Sequence, residues 1–312
     1  MYDAIEIATL CKRYENISAL NEVSASVPMG HVVGLLGHNG AGKSTLFKLI
    51  LGLALPTRGS VKVLGETPWG HGAHDLRQRM GYLPESVAFY GNLTGLEVIS
   101  YLAHLKNAPQ QQARQLLERV GLDRSAKQRV GTYSKGMRQR LGLAQALLGS
   151  PEVLLLDEPT AGLDPQATRE MYAVVAELRA AGRCVLISSH LLAELEPHID
   201  SALILRHGHL IASGSFEALR KQAGLPSVIV VKLKSGTNSS TVTQLLNDFH
   251  IVHELRPDGG LVIQAPEQEK VELLRIILAQ SVVADIEVKE PTLGRLYDCL
   301  GAAQAEAPGA SS

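Results

Sequence analysis

Apolar positions along the chain fall into three textures. Over residues 1–80 they form short β-rich runs with turn signals at Pro28-Met29-Gly30 and at Gly65, interrupted by a helix starting near Gly42. Residues 86–150 change to helical spacing, as in Leu96, Ile99, Leu102, Ala103 and then Leu116, Leu117, Val120, which predicts a helical insertion. Two continuous apolar runs, residues 151–157 (PEVLLLD) and 183–189 (RCVLISS), flank a helix over 165–181. That is the pattern of buried parallel strands around a crossover, so the fold class is α/β with a parallel-sheet core.

Past residue 224 the texture shifts again, through Leu225-Pro226-Ser227, into a strand at 228–233, a helix near 242–249, a strand at 260–264 and a helix near 268–280. With one more strand the order becomes strand, helix, strand, helix, strand, which suggests a small ferredoxin-like α+β unit. The expected organisation is therefore a large domain over residues 1–224, a small one over 225–300, and a disordered Ala-, Gly-, Ser- and Pro-rich tail over 301–312.

Composition narrows the function. In 312 residues, 45% hydrophobic and 20% charged, the net charge is -1, which provides no basic field for nucleic acid or anionic lipid. Aromatics at 4% also argue against base-stacking platforms. No apolar run approaches the roughly 18 to 20 residues of a bilayer crossing, and the opening MYDAIEIATLCKRY lacks the pattern of a secretory signal, so a cytoplasmic location is expected. Cys11, Cys184 and Cys299 form no CxxC pair, and neither His71 with His74 nor His207 with His209 joins further ligands. Reduced thiols and no protein-ligated structural metal are expected.

Residues 37–45 read GHNGAGKST and satisfy GxxxxGK[ST] between an apolar strand, Val32–Leu36, and a helix over 45–51. Gly37, His38, Asn39, Gly40, Ala41 and Gly42 supply backbone N–H groups that can face an anion, and the helix N-terminus adds positive potential. Lys43 reaches terminal phosphates, and Ser44, beside Thr45, can ligate Mg2+. The predicted ligand is a nucleoside triphosphate with Mg2+. In LLLDE, Asp157 ends an apolar strand where it can hold Mg2+ through water, and Glu158 is placed to polarise an attacking water.

Between these pieces lies Tyr133-Ser134-Lys135-Gly136-Met137. With it, the ordered set of Tyr14, the phosphate loop, Tyr82-Leu83-Pro84-Glu85, Asp157-Glu158, Ala161-Gly162-Leu163-Asp164 and Ser189-His190 resembles the ABC-transporter ATPases over residues 4–220. The resemblance implies a P-loop NTPase fold: a RecA-like parallel sheet with an antiparallel β subdomain and a helical ABC subdomain at about 86–150. It also implies ATP as the nucleotide, and two copies that pair head to tail, the ATP on one phosphate loop being closed over by Ser134 and Gly136 of the other. In that scheme Tyr14 stacks on adenine, although a half-buried core tyrosine fits the sequence too. His190 bonds the γ-phosphate and orients water beside Glu158, Asp164 couples the two sites, and Glu85 stands at the Q-loop position near Mg2+. This chain departs from the family pattern in Glu85 for Gln, Tyr133 for Leu, Lys135 for the first Gly and Met137 for Gln.

The resemblance further implies a polytopic permease partner of the ABC-2 type, held through residues 85–93 (ESVAFYGNL), with Phe89 and Tyr90 as anchors or else as buried subdomain residues. The chain would then sit at the cytoplasmic face of the inner membrane, peripheral through the permease. A small C-terminal unit ending in Glu290-Pro291-Thr292-Leu293-Gly294-Arg295-Leu296-Tyr297 resembles those of ABC-2 partners, and the stretches GHNGAGKS with Phe47-Lys48-Leu49-Ile50-Leu51-Gly52-Leu53, and GYLPESVAFYGNLTGLEVISYLAHLK, resemble the Nos-type ATPases of nitrous oxide reductase maturation most. Those work with a permease and a periplasmic copper-maturation subunit. ATPases of drug, antibiotic or polysaccharide exporters share the same plan. A soluble ABC protein acting on ribosomes is the remaining alternative, disfavoured by a single cassette without a basic stretch.

Overall fold

The computed structural model describes residues 2–234, 240–248, 251–257 and 260–305. It divides into two compact units that meet between Ser215 and Phe216.

The first unit opens with two twelve-residue strands, β1 (Asp3–Tyr14) and β2 (Ile17–Pro28), followed by β3 (Val32–Leu36), α1 (Lys43–Ile50), β4 (Arg58–Val63), α2 (Ala73–Gln78) and β5 (Met80–Leu83). The helical insertion comprises α3 (Gly95–Leu105), α4 (Gln110–Arg119) and α5 (Lys135–Leu147). The chain then returns through β6 (Val153–Leu156), α6 (Pro165–Ala180), β7 (Cys184–Ser189), α7 (Leu192–Leu195), β8 (Ser201–Arg206) and β9 (His209–Ser215). One sheet is antiparallel, ordered β2-β1-β4, and the other runs β5-β6-β7-β3-β8-β9, parallel except for the edge strand β9. Strands β3, β6 and β7 are buried along their whole length, which is why they read as unbroken apolar runs. Helix α1 lies in the shared core: Leu46, Phe47, Leu49 and Ile50 join one buried cluster with Ile5, Leu10, Val61 and Val63 of the antiparallel sheet and Val33, Leu155 and Leu186 of the parallel one.

The helical insertion is fixed at its start by a reciprocal cap. Thr94 Oγ1 accepts from the Glu97 N–H at 3.2 Å, and Glu97 Oε2 accepts from the Thr94 N–H at 2.7 Å. Tyr133, where the family pattern has Leu, is buried beside it, its hydroxyl donating to the Ser125 carbonyl at 2.7 Å. Gly95 makes room, since a Cβ there would stand 2.3 Å from the Tyr133 hydroxyl oxygen.

The second unit contains α8 (Phe216–Ala223), β10 (Ser227–Leu233), α9 (Ser240–Asp248), β11 (His253–Leu255), β12 (Leu261–Ala265), α10 (Lys270–Leu278), β13 (Val283–Lys289) and α11 (Leu293–Ala305). Its antiparallel sheet runs β11-β12-β10-β13, the ferredoxin-like order. Ile229, Val231, Val242, Leu246, Leu261, Ile263, Leu273 and Ile277 form its core. Strand β11 is absent from the sequence reading because its three residues include two exposed ones, Glu254 and Leu255, and carry no apolar run.

Two expected boundaries shift. The division precedes α8 rather than following Gly224, because Cys299 of α11 donates to the Ala223 carbonyl at 3.6 Å and ties α8 to the second unit. Residues 301–305, expected in a disordered tail, continue α11, as their alanines favour. Residues 306–312 lie outside the described residues. Glu290, which begins the motif singled out in the sequence, accepts from the Ser227 hydroxyl at 2.7 Å and from Lys270 Nζ at 3.0 Å, pinning the end of β13 to the starts of β10 and α10.

Burial in β7 pushes the Cys184 thiol up to about 12, so it carries no thiolate near neutral pH. In the native protein at pH 8 an alkylating reagent should modify Cys11 and Cys299 but spare Cys184, which becomes reactive only in denaturant; mass spectrometry of the labelled peptides checks this.

Candidate functional site

Strands β3, β6 and β7 are hydrogen-bonded neighbours in parallel register, pairing Val32 with Val185 and Leu156 with Ile187, so their C-terminal ends lie along one edge of the sheet. The loop after β3, the acids after β6 and the residues ending β7 meet there around a cavity of about 600 Å3. That lies within the usual range of roughly 300 to 1,000 Å3 for small-molecule sites. Its lining includes His38, Asn39, Gly40, Gly42, Lys43, Ser44 and Thr45 of the loop, together with Glu85, Asp157, Glu158 and His190.

The loop is shaped for close approach of a ligand. Gly42 caps α1 in a left-handed conformation, φ 108°, with no side chain satisfying the first helical N–H groups. Those donors point where an anion can sit. A Cβ at Gly37 would stand 2.7 Å from the Leu205 carbonyl oxygen, and one at Gly42 would stand 2.7 Å from Leu20 Cδ2. Lys43 is buried, and its ammonium donates to the Gly37 carbonyl at 2.6 Å and lies 3.9 Å from Glu158 Oε1.

The two acids differ in setting. Asp157 is 5% exposed, and burial holds its carboxyl above the ordinary range, with Glu85 and Glu158 adding to the rise while the Ser188 hydroxyl and Lys43 oppose it. The neighbouring Tyr82 hydroxyl is pushed up to about 12 by burial, then by Asp157 and Glu85. Glu158 adopts φ 49°, a left-handed conformation uncommon outside glycine, at the end of β6. Its Oε2 accepts from the His190 N–H at 3.2 Å, and His190 Nδ1 lies 2.6 Å from the same oxygen. The imidazole, 56% exposed, thus has Nε2 left for a ligand oxygen.

The donor set suits a nucleotide with a hard divalent cation. Ser44 offers a hydroxyl, Asp157 and Glu85 offer carboxylate oxygens, and among the described residues no three His, Cys, Asp or Glu side chains converge as a metal cage. A cation held this way depends on phosphate oxygens for its remaining ligands, as Mg2+ commonly does.

Several other expected site residues stand outside this lining, among them Ser134 and Gly136, whose expected place is at another copy's nucleotide. Tyr14 is 40% exposed, with Lys12 Nζ 4.7 Å from its ring centroid, and it is absent from the cavity lining; Ile17, Ser18 and Ala19, beyond the β1–β2 turn, take that place. The half-buried core reading of Tyr14 gives way because the side chain is exposed at a strand end beside the turn. Ser134 and Gly136 also stand outside the lining. Ser134 caps α5, its hydroxyl oxygen accepting from the Met137 N–H at 3.2 Å, and a Cβ at Gly136 would meet nothing closer than 3.6 Å. Asp164 caps α6 by accepting from the Gln166 and Ala167 N–H groups at 3.0 and 2.8 Å.

Sequence reading missed Ser188. It is wholly buried between the acids, and the polar pair Ser188-Ser189 ending an apolar run just before His190 was the available signal.

A carboxyl that holds its proton more tightly in the native state costs stability when ionised at neutral pH. Asp157→Asn should therefore raise the melting temperature of the ligand-free protein and lower the extra rise that Mg2+ adds to that given by ATP alone, both read by thermal unfolding.

Comparison with known proteins gives consistent results. The ABC transporter family model matches residues 20–161. The bacitracin transport ATP-binding protein BcrA of Enterococcus faecalis is 39% identical over 220 residues, 70% of this chain and 71% of the relative. The linearmycin resistance ATP-binding protein LnrL of Bacillus subtilis is 32% identical over 304 residues, 94% of this chain and 96% of the relative. Among solved structures, an ATP-binding subunit of an ABC transporter superposes with a TM-score of 0.67 at 31% identity, covering 78% of this chain and 99% of that one.

Proposed function

Because the chain belongs to the ABC transporter ATP-binding family, an ATPase family with the P-loop NTPase fold, we propose that it is the ATP-hydrolysing subunit of an antibiotic exporter. The observation that carries the ATP-hydrolysing part of the reading is one cavity that joins Lys43, Ser44, Asp157, Glu158 and His190. In it the loop N–H groups and Lys43 would hold the phosphates, Ser44 and Asp157 would hold Mg2+, and Glu158 would accept a proton from the attacking water. Mg2+, when bound, neutralises charge on the phosphates. His190, braced on Glu158, aligns the water with the γ-phosphate.

The named relatives support the exporter class, one being named for bacitracin transport and the other for linearmycin resistance. They lend nothing to the Nos-type reading, which rests on the sequence resemblance alone.

The family resemblance supports a second copy as partner: Ser134 and Gly136, at the head of α5 and outside the cavity lining, would close over the nucleotide of another copy, and Asp164 would couple the two sites. No described helix is long and apolar enough to cross a membrane. The relative named for bacitracin transport supports an integral permease partner that carries the motion, with this chain peripheral on its cytoplasmic side. Support for a docking place comes from Tyr90, 78% exposed on the loop after Glu85. An apolar groove of about 400 Å3 lined by Leu51, Leu53, Leu102, Leu105 and Lys106 offers a second contact.

The test is to tag the chain in its host, solubilise membranes gently and identify what co-purifies. A polytopic permease is expected, and Lys43→Ala should keep it while lowering ATP turnover at least about a hundredfold, a transition-state loss of a few kcal/mol. A periplasmic copper-maturation protein in the same complex would replace the antibiotic reading by the Nos-type one. Recovery with ribosomes and no permease would overturn the transport reading.

A further inference from the structure

Ser188 has one hydroxyl and two acidic neighbours. Strand β6 ends at Leu156, and the register Leu156↔Ile187 sets Asp157 and Ser188 side by side just past the paired residues. The backbone turns there: the Asp157 N–H donates to the Leu83 carbonyl at 2.8 Å, while Glu158, at φ 49°, sends its N–H away from the ladder. That N–H donates to Ser188 Oγ at 2.9 Å, and the Ser188 hydroxyl donates to Asp157 Oδ1 at 2.7 Å. A hydroxyl carries one proton, so accepting from Glu158 leaves Asp157 as the place for it. The residue is 0% exposed, and water cannot stand in.

We propose that Ser188 is a positioning residue for the reaction: it ties one oxygen of Asp157, presents the other to the metal–nucleotide complex, and fixes the turn that aims Glu158. The inference rests on reading the cavity as a Mg2+–nucleotide site. It assigns a role to a residue outside the cavity lining, one that acts only through the two acids. His190 completes the frame from the same strand end by donating its N–H to Glu158 Oε2 at 3.2 Å. One strand terminus thus sets both carboxylates, and the hydroxyl at position 188 is the part of it that a single substitution removes.

The test uses the full chain with Ser188→Ala, which deletes the hydroxyl, Ser188→Cys, which fills the space with a weak donor, and Ser188→Thr, which keeps the hydroxyl. Equilibrium dialysis of labelled ATP is run in EDTA and across a Mg2+ titration, after thermal unfolding confirms which variants fold. ATP binding in EDTA should stay within about twofold of the parent, whereas the Mg2+ needed for half-maximal enhancement rises on the order of tenfold in Ala and Cys, the value of one hydrogen bond to a charged group. Thr should restore the parent requirement. At saturating Mg2+, kcat should fall on the order of tenfold with KM for ATP nearly unchanged. An unchanged Mg2+ requirement in Ala or Cys, or an equal loss of binding in EDTA, overturns the assignment. A parent chain that binds ATP no better with Mg2+ than in EDTA overturns the nucleotide-site reading instead, so the two failures are distinguishable.

Discussion

Three buried parallel strands end along one edge of one sheet, and the ammonium and carboxylates collected there have no other way to meet. Lys43 follows β3, Asp157 and Glu158 follow β6, and Ser188 and His190 belong to the end of β7. The register of the parallel ladder places an ammonium 3.9 Å from Glu158 across more than a hundred residues of sequence, and a hydroxyl 2.7 Å from Asp157 across 31. Burial of α1 between the two sheets holds that register rigid, since Phe47, Leu49 and Ile50 have no exposed area.

That collection is energetically unfavourable without a ligand. Asp157, Glu158 and Lys43 are each less than a tenth exposed, and burying ionised groups costs free energy that a single ion pair rarely returns in full. The raised Asp157 carboxyl registers the cost, and the positive φ at Glu158 adds backbone strain. Both are offset when phosphates and a divalent cation bring complementary charge, so ligand binding and stability of the site are coupled through the same groups.

Much of this was legible in the sequence for definite reasons. The phosphate loop, the strand-end acids and the strand before His190 are local patterns whose residues are adjacent in the chain, and β3, β6 and β7 announce themselves as continuous apolar runs. What escaped depends on contacts between distant segments. Ser188 gains its meaning only from the pairing of β7 with β6, which no local pattern encodes. Tyr14 lies outside the cavity lining because the turn of the hairpin brings Ile17 to Ala19 there instead, a detail of register. Strand β11 is too short and too exposed to carry a signal, and the assignment of α8 to the second unit rests on the contact of Ala223 with Cys299, 76 residues away in sequence. The buried Tyr133 shows the reverse case, a departure from the family pattern accommodated by Gly95 and satisfied at its hydroxyl.

The central claim is that one chain holds half of the catalytic apparatus, with Ser134 and Gly136 facing another copy's nucleotide. The most direct measurement is sedimentation of the Glu158→Gln variant with ATP and Mg2+. With turnover blocked and binding kept, the chain should sediment as a dimer with ATP and as a monomer without it, and adding Ser134→Arg should abolish the dimer. A variant that stays monomeric with saturating ATP, or that hydrolyses ATP at the rate of the parent, would contradict the account.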